Sequence, residues 1–264
     1  NRKRMAMAPE LRIMDDPPEL AREAADLFVW LAEQAVETTG QCRLALSGGS
    51  TPKLLYAELA GPAFRSRLDW TGLEFYFGDE RCVPPDHPES NFALAEKDLF
   101  RPLKVEATRI FRMPGEVADP ERGADHYAAL LRRQFQASPP AVPVFDIILL
   151  GLGADGHTAS LFPESDTLRE SSRLVRPAVS PQGVRQRLTL TLPVLNQART
   201  VLFLVSGAAK ARAVAAVLED HAAKDTQWPA RLVRPAKGRL VWILDRPAAS
   251  ELAVARQGIV SHEE

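Results

Sequence analysis

The stretch FDIILLGLGADGHTASLFPES, Phe145 to Ser165, joins an apolar run to three glycines, a histidine and a small-residue turn. Phe145 to Leu150 shows no apolar–polar alternation over Ile147 to Leu150, the pattern of a strand buried on both faces of a parallel sheet. Gly151, Gly153 and Gly156 follow in the spacing G-x-G-x-x-G, which in a Rossmann unit cradles a dinucleotide pyrophosphate. That reading requires a long helix after the loop and a carboxylate about 20 residues further on. Pro163 stops any helix early, and the counterpart region Leu174-Val175-Arg176-Pro177 offers no carboxylate. The glycines are therefore read as a backbone turn that aims His157 back toward the sheet edge.

The flanking sequence alternates helices and strands. Asp15-Asp16-Pro17-Pro18 is a helix start, with Leu20, Ala24, Leu27, Phe28, Leu31 and Ala35 at helical spacing and Gly40 as the stop. Strands are expected over Arg43 to Leu46, Leu73 to Phe77, Arg187 to Leu192, Thr200 to Val205 and Leu240 to Leu244. Helices are expected over Lys53 to Leu59, Asn91 to Phe100, Pro120 to Phe135 and Ala208 to Leu218. The fold class is α/β: a mainly parallel, Rossmann-like sheet with helices on both faces and a small additional β region. The proline connector SPPAVPV, Ser138 to Val144, has strands of similar character on both sides, so one domain spans 15–258. Residues 1–14 read as a flexible N-terminal segment and 259–264 as a tail.

Composition narrows the function. The 264 residues are 45% hydrophobic and 25% charged with a net charge of -1, which gives no electrostatic reason for a nucleic-acid or membrane partner. No apolar stretch approaches the ~20 residues of a membrane span. Cys42 and Cys82 are isolated, which argues against both a disulfide framework and a zinc site. A cytoplasmic protein is expected.

In open α/β sheets, ligands bind beyond the carboxyl ends of the strands. Polar groups collect there repeatedly: SGGSTP after LAL, GDER after EFYF, GLGADGH after DIILL, SGAAK after VLFLV, and Asp245 after VWIL. Ser47, Gly48, Gly49, Ser50 and Thr51, just before a helix, form an anion nest suited to phosphate, without the Walker spacing. Arg81 and Lys210, at two other strand ends, supply positive charge. His157, two residues from Asp155, suits general-base activation of water. No nucleophile elbow is present, Ser160 carries no mark of activation, and the remaining histidines (His87, His126, His221, His262) read as structural, not as metal ligands.

With these residues placed, the chain resembles the 6-phosphogluconolactonase family. The words that carry the resemblance are ALSGGSTPKLLY, DWTGLEFYFGDERCVPPDHPESNFALA, DIILLGLGADGHTASLFPES, RLTLTLPVLNQA, FLVSGAAKARAV and WILDRPAA, in order, from about Leu20 to Ala255. The resemblance implies the fold of glucosamine-6-phosphate deaminases and ribose-5-phosphate isomerases. It implies a hydrolase without cofactor or metal that opens 6-phospho-D-glucono-1,5-lactone to 6-phosphogluconate in the oxidative pentose phosphate pathway. Its small-molecule partner is that lactone, and a monomer, at most a weak dimer, is expected. By the same resemblance His157 is the base, Asp155 orients the imidazole or binds sugar hydroxyls, and Asp79 faces the sugar ring. Ser47 to Thr51, Arg81 and Lys210 hold the phosphate, and Arg187 matches the arginine of an R-x-T motif. Gly183-Val184-Arg185-Gln186 departs from the proline-rich approach usual before that arginine. The related deaminases carry tyrosine after the D-E pair and an acid five residues after the D-G-H histidine. Arg81 and Phe162 occupy those positions here, which favours the lactonase. A phosphosugar sensor would add a DNA-binding segment, and no helix-turn-helix or basic patch is seen.

Overall fold

A computed structural model describes residues 9–220, 222 and 224–253. The segment 1–8, the expected tail 259–264, and His221 and His262 lie outside the described residues. The strands are β1 (Glu10–Met14), β2 (Cys42–Leu46), β3 (Leu73–Phe77), β4 (Asp79–Arg81), β5 (Ile147–Leu150), β6 (Val175–Val179), β7 (Gln186–Leu190), β8 (Thr200–Val205) and β9 (Arg239–Asp245). Six form one sheet in the order β1-β9-β8-β5-β2-β3, with every pairing parallel. Every residue of β3, β5 and β8 is buried. Since neighbouring side chains point to opposite faces, both faces of the sheet are covered, as the unbroken apolar runs require.

The helix α1 (Pro17–Thr39) begins as expected. Asp16 accepts the Glu19 N–H at its N-cap, two prolines occupy its first turn, and Gly40 ends it at φ 80°. α2 (Ser50–Ala60) follows β2 directly. The helix expected over Asn91 to Phe100 divides into α3 (Asn91–Ala95) and a π-helical turn, Glu96–Phe100. The proline connector separates no sheet: β5 beyond it pairs with β2 before it and with β8 after it.

Three segments differ from the sequence reading. Glu10–Met14, expected within a flexible segment, forms the edge strand β1 and pairs in parallel with β9 from Val241 to Asp245. Its alternation is weak and its burial only partial, so composition gave little sign of it. Asp79–Arg81, read as the loop ending β3, is itself a strand of a second, antiparallel sheet ordered β4-β7-β6. Val175–Val179 is the other addition. Gly78 joins the two sheets: its N–H reaches Leu46 O at 2.8 Å, and its carbonyl accepts the Leu190 N–H at 2.8 Å.

β6 is anchored through the turn that precedes it. Glu170 accepts backbone N–H groups from Ser171, Ser172 and Arg173 at 2.8–3.0 Å and pairs with Arg176 at 2.8 Å. Burial opposes its charge, but the hydrogen bonds from Arg173, Ser172 and Arg176 outweigh burial and hold the carboxyl at about 2, below the ordinary 4.5. A depressed folded pKa stabilises the fold above the unfolded value and loses that stabilisation as pH falls from the unfolded toward the folded value. Glu170→Gln should therefore lower stability at pH 7 by about 1–2 kcal/mol in urea titrations. The difference from wild type should fade between about pH 5 and pH 2; a constant difference across that window would contradict the assignment.

Candidate active site

A cleft of about 430 Å³ opens at the carboxyl ends of β2, β5 and β8, walled on one side by the small sheet. β2 is followed in sequence by β3 on one side, while β5 lies on its other side, so this is the switch point of the sheet. Ser47, Gly48, Gly49, Ser50 and Thr51 form one wall, and Asp79, Arg81, His157, Arg187 and Lys210 complete the lining. The imidazole and the anion nest, 106 to 110 residues apart in sequence (157 less 51 and 157 less 47), thus share one cavity.

The nest is built by local constraints. Gly49 is the N-cap of α2 at φ 104°, a conformation costly for any side-chain-bearing residue, and no side chain caps the helix. The buried Tyr56 hydroxyl donates to Ser47 O at 2.6 Å and accepts the Ser47 N–H at 3.2 Å. One phenol therefore fixes both backbone groups of the residue that starts the loop. A helix N-terminus with uncapped amides presents partial positive charge to an anion.

The loop after β5 explains its glycines. A Cβ on Gly153 would lie 2.1 Å from His157 Nδ1 and 2.5 Å from Asp155 Oδ1, so only glycine admits the imidazole and its carboxylate there. Gly156 has φ 80°, and a Cβ on it would meet the Trp228 ring at 2.5 Å. The turn closes on itself through Gly153 N–H to His157 O at 2.8 Å. His157 Nδ1 is 2.5 Å from Asp155 Oδ1. An ionised carboxylate only accepts, which assigns the proton to Nδ1 and leaves Nε2 as the basic nitrogen. Burial disfavours the Asp155 charge, but the hydrogen bond and charge of His157 outweigh burial and hold the carboxyl below its ordinary range. Asp155 does not line the cleft. Of the two roles implied for it, the contacts supply orientation of the imidazole. The Phe162 ring packs against the same imidazole with ring centroids 4.9 Å apart.

Positive charge converges from three directions. Antiparallel pairing sets Arg81 directly opposite Arg187, so the two guanidinium groups share one face of the small sheet. Burial, followed by repulsion from Arg81, moves the Arg187 pKa below the ordinary arginine value. Arg187 Nε donates to Val184 O at 2.7 Å, while the buried Arg81 Nε has no hydrogen-bond partner among the described residues. Lys210 ends a short turn, Ala208–Lys210, before the helix Ala211–Leu218. The loop that carries it is held by Asp245, which accepts from Ser206 Oγ at 2.6 Å and from the Gly207 N–H at 3.0 Å. Asp245, counted in sequence among the strand-end groups, is thus buried structural support and does not line the cleft. Among the described residues, no carboxylate lies within ion-pair distance of Arg81, Arg187 or Lys210.

Sequence reasoning missed two buried residues that line this cleft. Asn91 Nδ2 donates to Asp79 Oδ1 at 3.0 Å and to Asp79 O at 2.9 Å; Ser160 Oγ donates to Asp79 Oδ2 at 2.6 Å. Both carboxylate oxygens of Asp79 are therefore held. Asn91 read simply as the first residue of a helix, and Ser160, three residues after His157, gave no spacing signal. Glu80, inside the D-E-R word, turns away from the cleft and accepts the N–H groups of Asn91 and Phe92 at 2.7 and 2.9 Å. It secures the start of α3.

Comparison with known proteins gives the family. Residues 15–242 match the model of the family described as glucosamine-6-phosphate isomerases/6-phosphogluconolactonase. The chain is 39% identical over 246 residues to the 6-phosphogluconolactonase of Synechocystis, covering 93% of this chain and 99% of the relative. With the human 6-phosphogluconolactonase the identity is 43% over 218 residues, 80% of this chain and 81% of the relative. The solved 6-phosphogluconolactonase of Trypanosoma brucei superposes with a TM-score of 0.82 at 31% identity, covering 94% of this chain and all of that one. A monomeric glucosamine-6-phosphate deaminase superposes at a TM-score of 0.75 with 22% identity, which shows a common fold. The chain belongs to the glucosamine-6-phosphate isomerase/6-phosphogluconolactonase family, and within it the similarity is to the lactonases.

In Gly153→Ala the added methyl must displace the imidazole. Wild-type protein should show a downfield Nδ1 proton resonance for His157 in NMR spectra, and the variant should lose it while staying folded. A resonance unchanged in the variant would refute the close-approach reading of Gly153.

Proposed function

We propose that the chain is a 6-phosphogluconolactonase, hydrolysing 6-phospho-D-glucono-1,5-lactone to 6-phospho-D-gluconate. The observation that carries this reading is one cleft holding an imidazole whose Nδ1 is engaged by Asp155, and a glycine-rich helix start flanked by cations that lack ion-pair partners among the described residues. The similarity to lactonases supports it independently.

The division of labour follows from the chemistry. The substrate phosphate, a dianion, binds the Ser47 to Thr51 backbone at the start of α2, with Lys210, Arg81 and Arg187 offsetting its charge. Cations that repel one another without a ligand are relieved when an anion enters between them. Binding at the phosphate end orients the lactone at the other end, so remote affinity is converted into alignment of the reacting carbon. His157 Nε2 takes a proton from water as that water attacks the lactone carbonyl. The tetrahedral intermediate then collapses, breaking the bond to the ring oxygen, which receives the proton from the imidazolium. Asp155, anionic because its pKa is lowered, stabilises that imidazolium and keeps Nδ1 protonated. Asp79, with its carboxylate held by Asn91 and Ser160, is placed to accept hydroxyl groups of the sugar. The reaction consumes one water and needs no oxidant or group donor.

The direct test is hydrolysis of fresh 6-phosphogluconolactone against unphosphorylated gluconolactone, corrected for the spontaneous rate. A large excess in kcat/KM for the phosphorylated lactone is expected, and equal values would end the proposal. His157→Ala should lower kcat by about 10²–10⁴-fold while leaving 6-phosphogluconate binding in calorimetry nearly unchanged. Lys210→Ala or Arg81→Ala should act mainly on KM, raising it about tenfold or more for the phosphorylated lactone. A loss confined to kcat in those two variants would remove them from the phosphate grip.

A further inference from the structure

Asn91, in the word PESNF, holds Asp79 through its Nδ2. It sits where three parts of the site meet. Its backbone N–H is held by Glu80 at 2.7 Å, and the Ser90 side chain, the N-cap of α3, also bonds Glu80 at 3.0 Å. Its Nδ2 spans the backbone and side chain of Asp79. Its Oδ1 is turned toward the phosphate loop, where a Cβ on Gly48 would come within 1.8 Å of it. The side chain is almost wholly buried, and Oδ1 has no hydrogen-bond partner among the described residues. A buried acceptor without a donor is costly, and an apolar side chain of similar shape would avoid that cost. Here the cost is accompanied by a gain: Nδ2 donates twice to Asp79, and the oxygen packs on the loop backbone.

We infer that Asn91 is a positioning residue that sets the register between the phosphate loop and Asp79. This inference rests on the proposed lactonase reading. Gly48 and Asp79 come from different strand ends, and the Asn91 side chain touches both. Ser160 extends the linkage from Asp79 Oδ2 to the loop bearing His157. An anchored phosphate therefore fixes Gly48, Gly48 confines the Asn91 amide, and the amide holds the carboxylate that faces the sugar. A shift of about 1 Å in such a chain costs on the order of 10²-fold in rate.

The test compares two substrates in folded variants. Asn91→Asp keeps the shape and the helix start but puts an acceptor in place of the Nδ2 donor facing Asp79. Asn91→Ala removes the contact with Gly48 altogether. In both, the ratio of kcat/KM for 6-phosphogluconolactone to that for gluconolactone should fall at least about tenfold, because the phosphate no longer orients the reacting end. Gly48→Ala should impair wild type severely, yet add little in the Asn91→Ala background, where the space for its Cβ exists; a coupled cycle is the signature of direct contact. Loss of stability alone lowers both substrates together and leaves the ratio intact. A ratio within twofold of wild type in both Asn91 variants, or strictly additive Gly48 and Asn91 effects, would overturn the inference. If wild type itself shows no phosphate preference, the lactonase reading fails instead, which keeps the two outcomes separate.

Discussion

A parallel sheet buried on both faces imposes one constraint on everything else in this molecule. Its strands all run in the same direction, so the loops at their carboxyl ends must crowd along one edge. Reversal of strand order between β2 and β5 then opens a gap at that edge instead of a continuous wall. The glycine-rich loop follows β2, the imidazole follows β5 and the lysine follows β8. Residues far apart in sequence share a cavity because topology leaves them no other place.

The small antiparallel sheet answers a different need. A parallel edge alone delivers loops; it does not deliver a firm wall of charged side chains. β4 leaves the main sheet through Gly78 and pairs with β7, which brings Asp79 and Arg81 over the gap and sets Arg187 across from Arg81. Like charges opposite one another weaken a ladder. That arrangement is tolerated here because the rest of the scaffold is secured by a large apolar core, and it gives the cleft an electrostatic bias before any ligand arrives.

Much of this was legible in the chain. Unbroken apolar runs such as Ile147–Leu150 and Val201 to Val205 mark buried strands by composition alone, and the polar words after them mark the edge where the cleft opens. The G-x-G-x-x-G spacing was legible as a turn, since Pro163 forbids the long helix a nucleotide fold needs. Its physical cause was not: nothing in the letters says that Gly153 faces the ring of His157. β1 and β4 escaped for another reason. They are short, sit at sheet edges and owe their form to distant partners, Val241–Asp245 and Arg187–Thr189, instead of to local pattern. Asn91 and Ser160 escaped because a side chain that braces another acquires meaning only when its neighbour in space is known.

Glu80 carries a consequence for the molecule as a whole. Its carboxyl is buried beside the cleft and accepts several backbone N–H groups, yet desolvation exceeds their combined help and its pKa is raised. An acid harder to ionise folded than unfolded loses stabilisation as pH rises from its unfolded value to its raised folded value, and opposes folding by a constant amount above that. The start of α3, which Glu80 holds, thus carries a standing thermodynamic load that an uncharged side chain would avoid.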